Sequence, residues 1–315
     1  MSQSASACAR IWRFDSPIQI RGSSCFWRAQ SATRVSIIVV LVLPLPQLTT
    51  EVERLSFVVV IGGIPVRVNT CDPEFLSILQ NRYAGFTGHS DEPEIEFDID
   101  LQPPNDLAED APVEVRHTHG LWTLKRGDFH AEWEPASRRG LIRQTANPYS
   151  IDAVLRIVHS LVLAGQGGFL MHSASAIRNG KAFLFAGVSG AGKTTISRLA
   201  PPEATLLTDE ISYVRRHDTG YVAYGTPFTG ELAKLGENVS APLTALYLLA
   251  QGKENRIDAI SAGDAARGVL ANILFFAEDD ELVQSVFRSV FEFVSRVPVM
   301  RLTFMPDSRV WELIG

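Results

Sequence analysis

The chain has 315 residues, of which 46% are hydrophobic, and it carries a formal net charge of −6. This length and hydrophobic content allow one large domain or two modest ones, each with a buried core. The negative charge gives no basic field for a nucleic-acid partner. The three widely spaced cysteines, Cys8, Cys25 and Cys71, offer no metal-ligand spacing and suit a reducing cytoplasm.

Residues 1–50 differ in composition from the rest of the chain, with five arginines, eight serines and a single acid, Asp15. An Arg-rich, acid-poor leader is typical of an organellar transit peptide, and its short apolar run leaves a signal peptide open. That run, Val35–Leu43, is far shorter than the roughly 20 residues of a membrane-spanning helix, so no integral membrane segment is predicted. The favoured interpretation is an unstructured leader or a start codon placed too far upstream.

Residues 51–146 are predicted to form a mainly β region. Two strands rich in β-branched residues turn at Gly62-Gly63, and a helix capped by Asp72 follows them. A half-buried strand comes next, and residues 113–135 alternate as a β-meander.

Residues 147–315 are predicted to form an α/β domain around a glycine-rich loop. A helix capped by Ser150 ends at a cluster of glycines. A β-hairpin follows, with its turn at Asn179-Gly180, two residues that suit the positive φ angles of a two-residue turn. The second strand of the hairpin leads directly into the sequence GVSGAGKT.

The stretch from Gly187 to Thr194 fits the pattern G-x-x-x-x-G-K-[ST] of a phosphate-binding loop. Glycines let backbone amides approach a polyphosphate, and the helix that follows directs its first N–H groups at it. Lys193 adds a positive charge, and the Thr194 hydroxyl can ligate Mg²⁺. The predicted nucleotide-binding residues are Gly187, Ser189, Gly190, Ala191, Gly192, Lys193, Thr194 and Thr195.

An acid pair, Asp209 and Glu210, follows on what is predicted to be the next strand. Adjacent strand residues point to opposite faces, so both carboxylates reach one centre only at a strand end or a bulge. His172 lies on the partner strand of the hairpin. Pairing through the hairpin turn places His172 level with the start of the glycine loop, and all three residues are predicted to belong to the site.

Other conspicuous side chains are assigned structural positions. Two histidines that alternate on one strand of the meander, His117 and His119, are predicted to lie at the surface, and His159 is predicted to pack within a helix. Three aromatic residues of the C-terminal region are predicted to be core residues: Phe287, Phe291 and Trp311.

The sequence MHSASAIRNGKAFLFAGVSGAGKTTISRLAPPEATLLTDEISYV, which ends at Val214, resembles the catalytic core of the HPr kinase/phosphorylase family. The shared elements are a Met-His strand, a hairpin that enters the glycine loop, and an acid pair on the next strand; the resemblance is looser toward the C-terminus. It implies an α/β fold, a P-loop kinase domain of the HPr kinase / PEP carboxykinase type. It also implies transfer of a phosphoryl group from ATP to a serine hydroxyl, with Mg²⁺ as the metal.

The resemblance also implies a role for each matching residue. Lys193 would bind the β- and γ-phosphates, and Thr194 and Glu210 would hold Mg²⁺. Asp209 would take the proton of the acceptor hydroxyl, and His172 would support the site near the γ-phosphate. These roles suit phosphoryl transfer, which depends mainly on positioning and charge neutralisation.

Three departures from the family pattern restrict what the resemblance implies. Glu210 stands where the family has a second aspartate, Ser173 stands where it has a glycine, and no Arg- and Gly-rich loop for gripping the HPr protein is found. The expected acceptor is therefore a hydroxyl of a protein, a peptide or a small molecule. HPr itself, reverse phosphorolysis and a hexamer are not implied, and a homo-oligomer is left open.

The segment YGTPFTGEL, residues 224–232, is predicted to form a loop beside the acceptor, where Glu231 would contact a polar substrate. Three alternatives to a kinase stay open at this point. They are a non-catalytic nucleotide-binding regulatory module, a PEP-carboxykinase-like enzyme and an ATPase coupled to motion.

Overall fold

The computed structural model describes residues 54–103, 111–230, 232 and 236–315. The predicted leader and Glu231 lie outside the described residues. Residues Arg54–Gly315 form one compact unit that combines two large sheets with several helices. The α/β class predicted from the sequence is therefore confirmed.

Within the described residues, the first sheet has eight strands in the order β3-β1-β2-β4-β8-β7-β6-β5. Its strands are β1 (Leu55–Ile61), β2 (Ile64–Thr70), β3 (Thr87–Gly88), β4 (Ile95–Leu101), β5 (Glu114–Thr118), β6 (Leu121–Arg126), β7 (Phe129–Glu134) and β8 (Arg139–Gln144). The turn between β1 and β2 lies at Gly62-Gly63, as predicted, and both glycines have positive φ. The tip of this hairpin contacts the second half of the protein, because the Arg215 guanidinium donates to the Gly62 carbonyl at 2.9 Å.

The second sheet, as far as the structure describes it, has nine strands and closes partly on itself. Its strands are β9 (Phe169–Arg178), β10 (Lys181–Ala186), β11 (Thr205–Thr208), β12 (Ile211–His217), β13 (Gly220–Tyr224), β14 (Ser240–Gln251), β15 (Arg256–Ala259), β16 (Ile273–Leu274) and β17 (Val299–Phe304). The main path runs β10-β9-β12-β13-β14-β17-β15, and β10 also pairs in parallel with β14. The strands β10, β9, β12, β13 and β14 therefore form a closed circuit.

The helices cover the sheets. They are α1 (Pro73–Arg82), α2 (Pro148–Gln166), α3 (Lys193–Arg198), α4 (Ala262–Leu270) and α5 (Asp280–Arg296), with a 3₁₀ helix at Ser308–Leu313. The Asp72 side chain caps α1 as predicted, because it accepts from the backbone of Phe75. Within the described residues, no helix is both long and apolar enough to cross a membrane.

The long helix α2 links the two sheets. One apolar cluster contains residues of the first sheet such as Val66 and Phe97, of α2 such as Leu155, and of β12 such as Tyr213. His159 of α2 is fully buried in this region, and its Nδ1 lies 2.9 Å from the Tyr213 hydroxyl. The predicted packing role of His159 is confirmed. The domain boundary at residues 146 and 147 stays a prediction, although the two sheets fall on either side of it.

Three local predictions are wrong, each for a physical reason. Asn147 rather than Ser150 caps α2, because Pro148 takes the first helical position and the Asn147 side chain accepts from the Tyr149 amide. His119 is not on the strand with His117 but in the following turn, with a positive φ of 51°. Phe287 and Phe291 are exposed at 47% and 61%, because the buried face of α5 is turned away from them.

Candidate functional site

The glycine loop connects β10 to α3, as the sequence predicts. Gly190 and Gly192 adopt positive φ angles of 79° and 111°, which glycine reaches without strain. A Cβ atom on Gly187 would lie 2.8 Å from the Ala191 Cβ, and one on Gly192 would lie 2.6 Å from the Phe304 ring. The loop therefore has both the backbone conformation and the close packing that require small residues.

Lys193 is the first residue of α3 and is largely buried. Its Nζ donates to the Gly187 carbonyl at 2.8 Å and to the Val188 carbonyl at 3.3 Å. The ammonium group thus lies over the beginning of the loop. Because α3 has only six residues, the loop amides and this charge, rather than a helix dipole, would attract an anion.

Strand β9 brings the predicted site residues together. On one side Ser173 pairs with Ala186, the last residue of β10 before the glycine loop, and on the other side His172 pairs with Ile211. Since neighbouring strands lie about 5 Å apart, the start of the loop and the start of β12 are about 10 Å apart across β9. His172 is level with the start of the loop, so this prediction is confirmed.

The surroundings of the His172 imidazole favour its neutral form. Burial lowers the pKa of this imidazole below its usual value, and the Lys193 ammonium lowers the pKa further. The ring is therefore neutral at pH 7. The backbone amide of His172 donates to the Asn272 carbonyl at 2.7 Å.

Asp209 and Glu210 form a bend between β11 and β12, here called the acid bend. The sequence predicted one continuous strand, and this prediction is wrong because the strand is interrupted at these two residues. The Thr208 hydroxyl accepts from the backbone amides of Glu210 and Ile211, each at 3.2 Å, which stabilises the bend. In a continuous strand, adjacent side chains point to opposite faces. Because the strand is interrupted here, this restriction does not apply to the two carboxylates.

Asp209 is 4% exposed and is held by the segment after β13. One carboxylate oxygen accepts from the Gly230 amide at 3.0 Å and the other from the Leu232 amide at 2.9 Å. A Cβ atom on Gly230 would lie 2.9 Å from the Glu210 Cβ and 3.0 Å from an Asp209 oxygen. The segment predicted to lie beside the acceptor therefore contacts the acid bend directly, while Glu231 itself is outside the described residues.

Glu210 is in a different environment from Asp209. Its carboxylate lies 3.6 Å from the Arg156 guanidinium of α2, and about a third of its side chain is exposed. Burial raises the pKa of the Glu210 carboxyl, the Arg156 charge opposes this shift, and the Asp209 carboxylate adds to it. The Arg156 guanidinium also lies over the Phe228 ring, at 5.0 Å from its centroid.

A polar network extends from Arg156 toward the first sheet. The buried Asp152, one helical turn before Arg156, accepts hydrogen bonds from Arg82 and from the Tyr83 hydroxyl of the α1 end. Arg82 also reaches the Thr229 hydroxyl at 3.4 Å, next to the segment that binds Asp209. Burial, followed by the Asp152 charge, raises the pKa of the Tyr83 hydroxyl.

The residues present fit a polyphosphate and Mg²⁺. The loop has open space at Gly190, where an added Cβ would meet nothing within 4 Å, so a phosphate can approach the backbone. Mg²⁺ usually takes one or two protein carboxylates or hydroxyls and completes its shell with phosphate oxygens and water, which Thr194 and Glu210 can match. The described residues contain no group of three or more His, Cys, Asp or Glu side chains that could hold a metal alone.

Arg156, Gly230 and Gln251 were not predicted as site residues. Gln251 donates to the Gly190 carbonyl at 2.7 Å, although it lies far along the chain at the end of β14. Arg156 is a charged residue of a mainly apolar helix and lies one turn after Asp152, and this is the signal in the sequence that could have indicated it. Gly230 lies in the segment 224–232 that the sequence predicts beside the acceptor, whereas Gln251 carries no such signal.

The protein is an α/β protein with a candidate phosphate-binding site. The site consists of a strand, a glycine-rich loop and a helix, next to a bend with two carboxylates. Residues 143–315 match the family described as "SynChlorMet cassette protein ScmC". Because this match covers more than half of the chain, the chain belongs to that family. The match includes the glycine loop and the acid bend. No curated protein matches the chain.

Proposed function

We propose that the protein is a phosphotransferase that moves the γ-phosphoryl group of ATP to a serine or similar hydroxyl, with Mg²⁺ as the metal. The observation that carries this proposal is the position of the glycine loop and the acid bend at one level on either side of β9. A phosphate donor held by the loop would then lie within reach of both carboxylates. The HPr-kinase-like P-loop fold implied by the sequence belongs to this proposal.

The glycine loop would hold the donor. Its backbone amides are free of side-chain obstruction at Gly190, and they offer hydrogen bonds to the phosphate oxygens. Lys193 would exchange its contacts with the Gly187 and Val188 carbonyls for phosphate oxygens. Charge on the transferred group would be neutralised there, which is the main requirement of this chemistry.

Asp209 would act as the base. The two amide donors use two of the roughly four lone-pair positions of a carboxylate, so Asp209 keeps the capacity to accept a proton. As the acceptor oxygen bonds to the γ-phosphorus, the bond to the β-phosphate oxygen breaks and its electron pair leaves with ADP. The hydroxyl proton passes to Asp209, and the neutral His172 ring supports the site near the γ-phosphate.

Thr194 and Glu210 would hold Mg²⁺, which neutralises charge on the β- and γ-phosphates when it is bound. In the structure Glu210 faces Arg156 at 3.6 Å. Arg156 therefore orients the Glu210 carboxylate and opposes the rise of its pKa.

The acceptor is proposed to be a hydroxyl of a protein, a peptide or a small molecule, in the cytoplasm, where ATP is available. The family description names a cassette protein, so products of neighbouring genes are the first acceptors to test. A homo-oligomer stays open.

The proposal is tested by incubating the purified protein with γ-labelled ATP, Mg²⁺ and a panel of such candidate acceptors. We expect transfer of label to one acceptor, and a loss of about 100-fold or more in Lys193→Ala, since the charge on the transferred group is then not neutralised. Lys181→Ala is the matched control, because Lys181 is exposed at the far end of β10. Label transfer that is equal in Lys193→Ala and the native protein would contradict the proposal.

A second candidate function is a nucleotide-binding regulatory module without catalysis. The observation that favours it is that both carboxylates already have protein partners: Asp209 has two backbone amides and Glu210 has Arg156. Such a module would bind ATP with Lys193-dependent affinity and would transfer no phosphate to any acceptor.

A further inference from the structure

A cleft lies away from the glycine loop. It is a cleft of about 920 Å³ between the meander of the first sheet, the C-terminal part of α2 and the beginning of α5. Its lining includes Trp122, Trp133, Leu161, Asp279 and Glu281. This volume is within the range of about 300–1,000 Å³ that ligand sites occupy.

The cleft is separate from the candidate phosphate site. Both sites border α2, but at 100° per residue Leu161 and Gly165 lie about 140° and 180° around the helix from Arg156. Arg156 faces the acid bend, while Leu161 and Gly165 line the cleft. The two sites therefore use different faces of one helix.

Two tryptophans form the floor of the cleft. Trp122 and Trp133 are cross-strand partners on β6 and β7, and the His117 ring stacks on Trp122 at 4.2 Å between centroids. Trp133 is only 4% exposed, and its indole Nε1 has no hydrogen-bond partner among the described residues. The Nε1 atom is closed to solvent. Because a buried donor without an acceptor costs about 1–3 kcal/mol, a shift of the ring that brings Nε1 to a ligand oxygen would be favoured.

The rim of the cleft is acidic. Glu94, Asp279 and Glu281 line it, against the single arginine Arg138 among its described lining residues. The Leu282 backbone amide, together with His117, lowers the pKa of the Asp279 carboxyl, which therefore stays ionised near neutral pH. The cleft thus combines an aromatic floor with negative charge, which is complementary to a cation on an apolar stem.

We propose that this cleft binds an extended peptide segment in which a basic side chain stands beside an apolar one. The apolar side chain would pack on the tryptophan floor, the cation would face Asp279 and Glu281, and a peptide carbonyl would accept from the Trp133 indole. A peptide suits the site because β5 is an edge strand that pairs only with β6 in the described part of the sheet. An extended segment can lie along such an edge.

The test uses the full chain without ATP, so it does not depend on phosphate transfer. Fluorescein-labelled peptides of one glycine-serine frame carry Leu-Arg, Leu-Glu or Ser-Arg at the centre, and binding is followed by anisotropy. We expect Leu-Arg to bind about tenfold or more tightly than the other two, which corresponds to about 1.4 kcal/mol. Equal binding of the three peptides, or no saturable binding, would overturn the proposal.

Two variants connect binding to the cleft. Trp133→Phe keeps an aromatic ring but removes the indole donor, and we expect it to weaken Leu-Arg binding several-fold. Glu281→Gln should narrow the preference for Leu-Arg over Leu-Glu, while Glu312→Gln, an exposed acid of the C-terminal 3₁₀ helix, serves as its control. Circular dichroism checks the fold, and if Trp133→Phe does not fold, Glu281→Gln decides alone.

Two further outcomes count against the proposal. Unchanged peptide preference in Glu281→Gln would show that the peptide binds elsewhere. Displacement of the labelled peptide by free arginine amide at the same concentration as by unlabelled Leu-Arg peptide would show a small-molecule site rather than a peptide site.

Discussion

The glycine loop and the acid bend lie on opposite sides of β9, but contacts of different range hold them. Lys193 donates to the carbonyls of Gly187 and Val188, its near neighbours in the chain. Asp209 instead accepts from amides of residues 21 and 23 positions later, and Glu210 faces a residue of α2. Lys193 contacts its near neighbours in the chain, with Gln251 as a distant donor to the loop at Gly190. Both carboxylates of the acid bend, in contrast, are held by residues distant in the chain.

This difference predicts that changes in the bend reduce transfer without weakening nucleotide binding. Asp209→Asn should lower the rate of phosphoryl transfer by about 10²–10⁴-fold, because the base is lost, while ATP affinity stays within about twofold. The amide oxygen of asparagine can still accept one of the two backbone hydrogen bonds. Single-turnover rates and calorimetric ATP titration measure the two effects.

Asp218→Asn is the matched control for this substitution, since Asp218 lies exposed in the turn between β12 and β13. Full transfer activity in Asp209→Asn would show that Asp209 is not the base. If both the native protein and Asp209→Asn bind ATP but neither transfers phosphate, the regulatory module is favoured.

A smaller effect is expected from the segment that holds the bend. In Gly230→Ala the new Cβ would approach the Glu210 Cβ at 2.9 Å and an Asp209 oxygen at 3.0 Å, so both carboxylates must move. A small displacement of catalytic groups is costly, and we expect a rate about tenfold lower with unchanged ATP affinity.

Gly263→Ala is the control for Gly230→Ala, because its nearest neighbouring atom would be 3.8 Å from the added Cβ. The same transfer assay and a thermal melt measure both variants. A Gly230→Ala protein with the native transfer rate would show that the acid bend tolerates movement. The proposed dependence of the acid bend on distant contacts would then be wrong.

The pH dependence sharpens the comparison of the two carboxylates. Burial already raises the pKa of Glu210, and Arg156 opposes that shift. Arg156→Gln should therefore raise this pKa further, so that protonation removes the Mg²⁺-binding form at a higher pH. We expect the apparent Mg²⁺ affinity, measured from activity against Mg²⁺ concentration, to fall several-fold at pH 6 but little at pH 8.

Arg288→Gln, an exposed arginine of α5, is the control for charge alone. An equal loss of Mg²⁺ affinity at both pH values would show that Arg156 does not act through the ionisation of Glu210.

The smallest effect concerns β9 itself, which lies between the two regions. The Ser175 hydroxyl is fully buried without a hydrogen-bond partner, so Ser175→Ala should leave stability unchanged or raise it by up to about 1 kcal/mol. Ser212→Ala should cost about 1 kcal/mol, because the Ser212 hydroxyl donates to the Ser173 carbonyl at 2.9 Å. Urea unfolding compares the free energies of unfolding of the two variants. A larger loss of stability in Ser175→Ala than in Ser212→Ala would contradict the assignment of Ser175 as the hydroxyl without a partner.

The parts of the fold that local rules determine could be predicted from the sequence. The turn at Asn179-Gly180 sets the hairpin register, and this register places His172 level with the glycine loop. Asp72 caps α1 through a contact within its own turn. The glycine loop likewise follows from residues that are adjacent in the chain.

The remainder depends on contacts between distant residues and could not be predicted. Periodicity shows that α5 is amphipathic, but which neighbours cover Phe287 and Phe291 depends on how the helix packs. The Asp209 carboxylate is held by backbone amides from beyond β13, and Arg156 reaches the bend because α2 packs against elements of both sheets. No local pattern in the sequence contains this information.

The closed circuit of strands has a consequence for folding. β10, which carries the glycine loop, pairs in parallel with β14, and their sequence separation makes that pairing non-local. Such pairings form slowly, because loop-closure entropy is lost before the contacts are gained. The glycine loop is local in sequence, yet the strand that supports it becomes fully paired only when the circuit closes. Nucleotide-binding competence should therefore emerge late during refolding, together with the protection of β10 amides from hydrogen exchange.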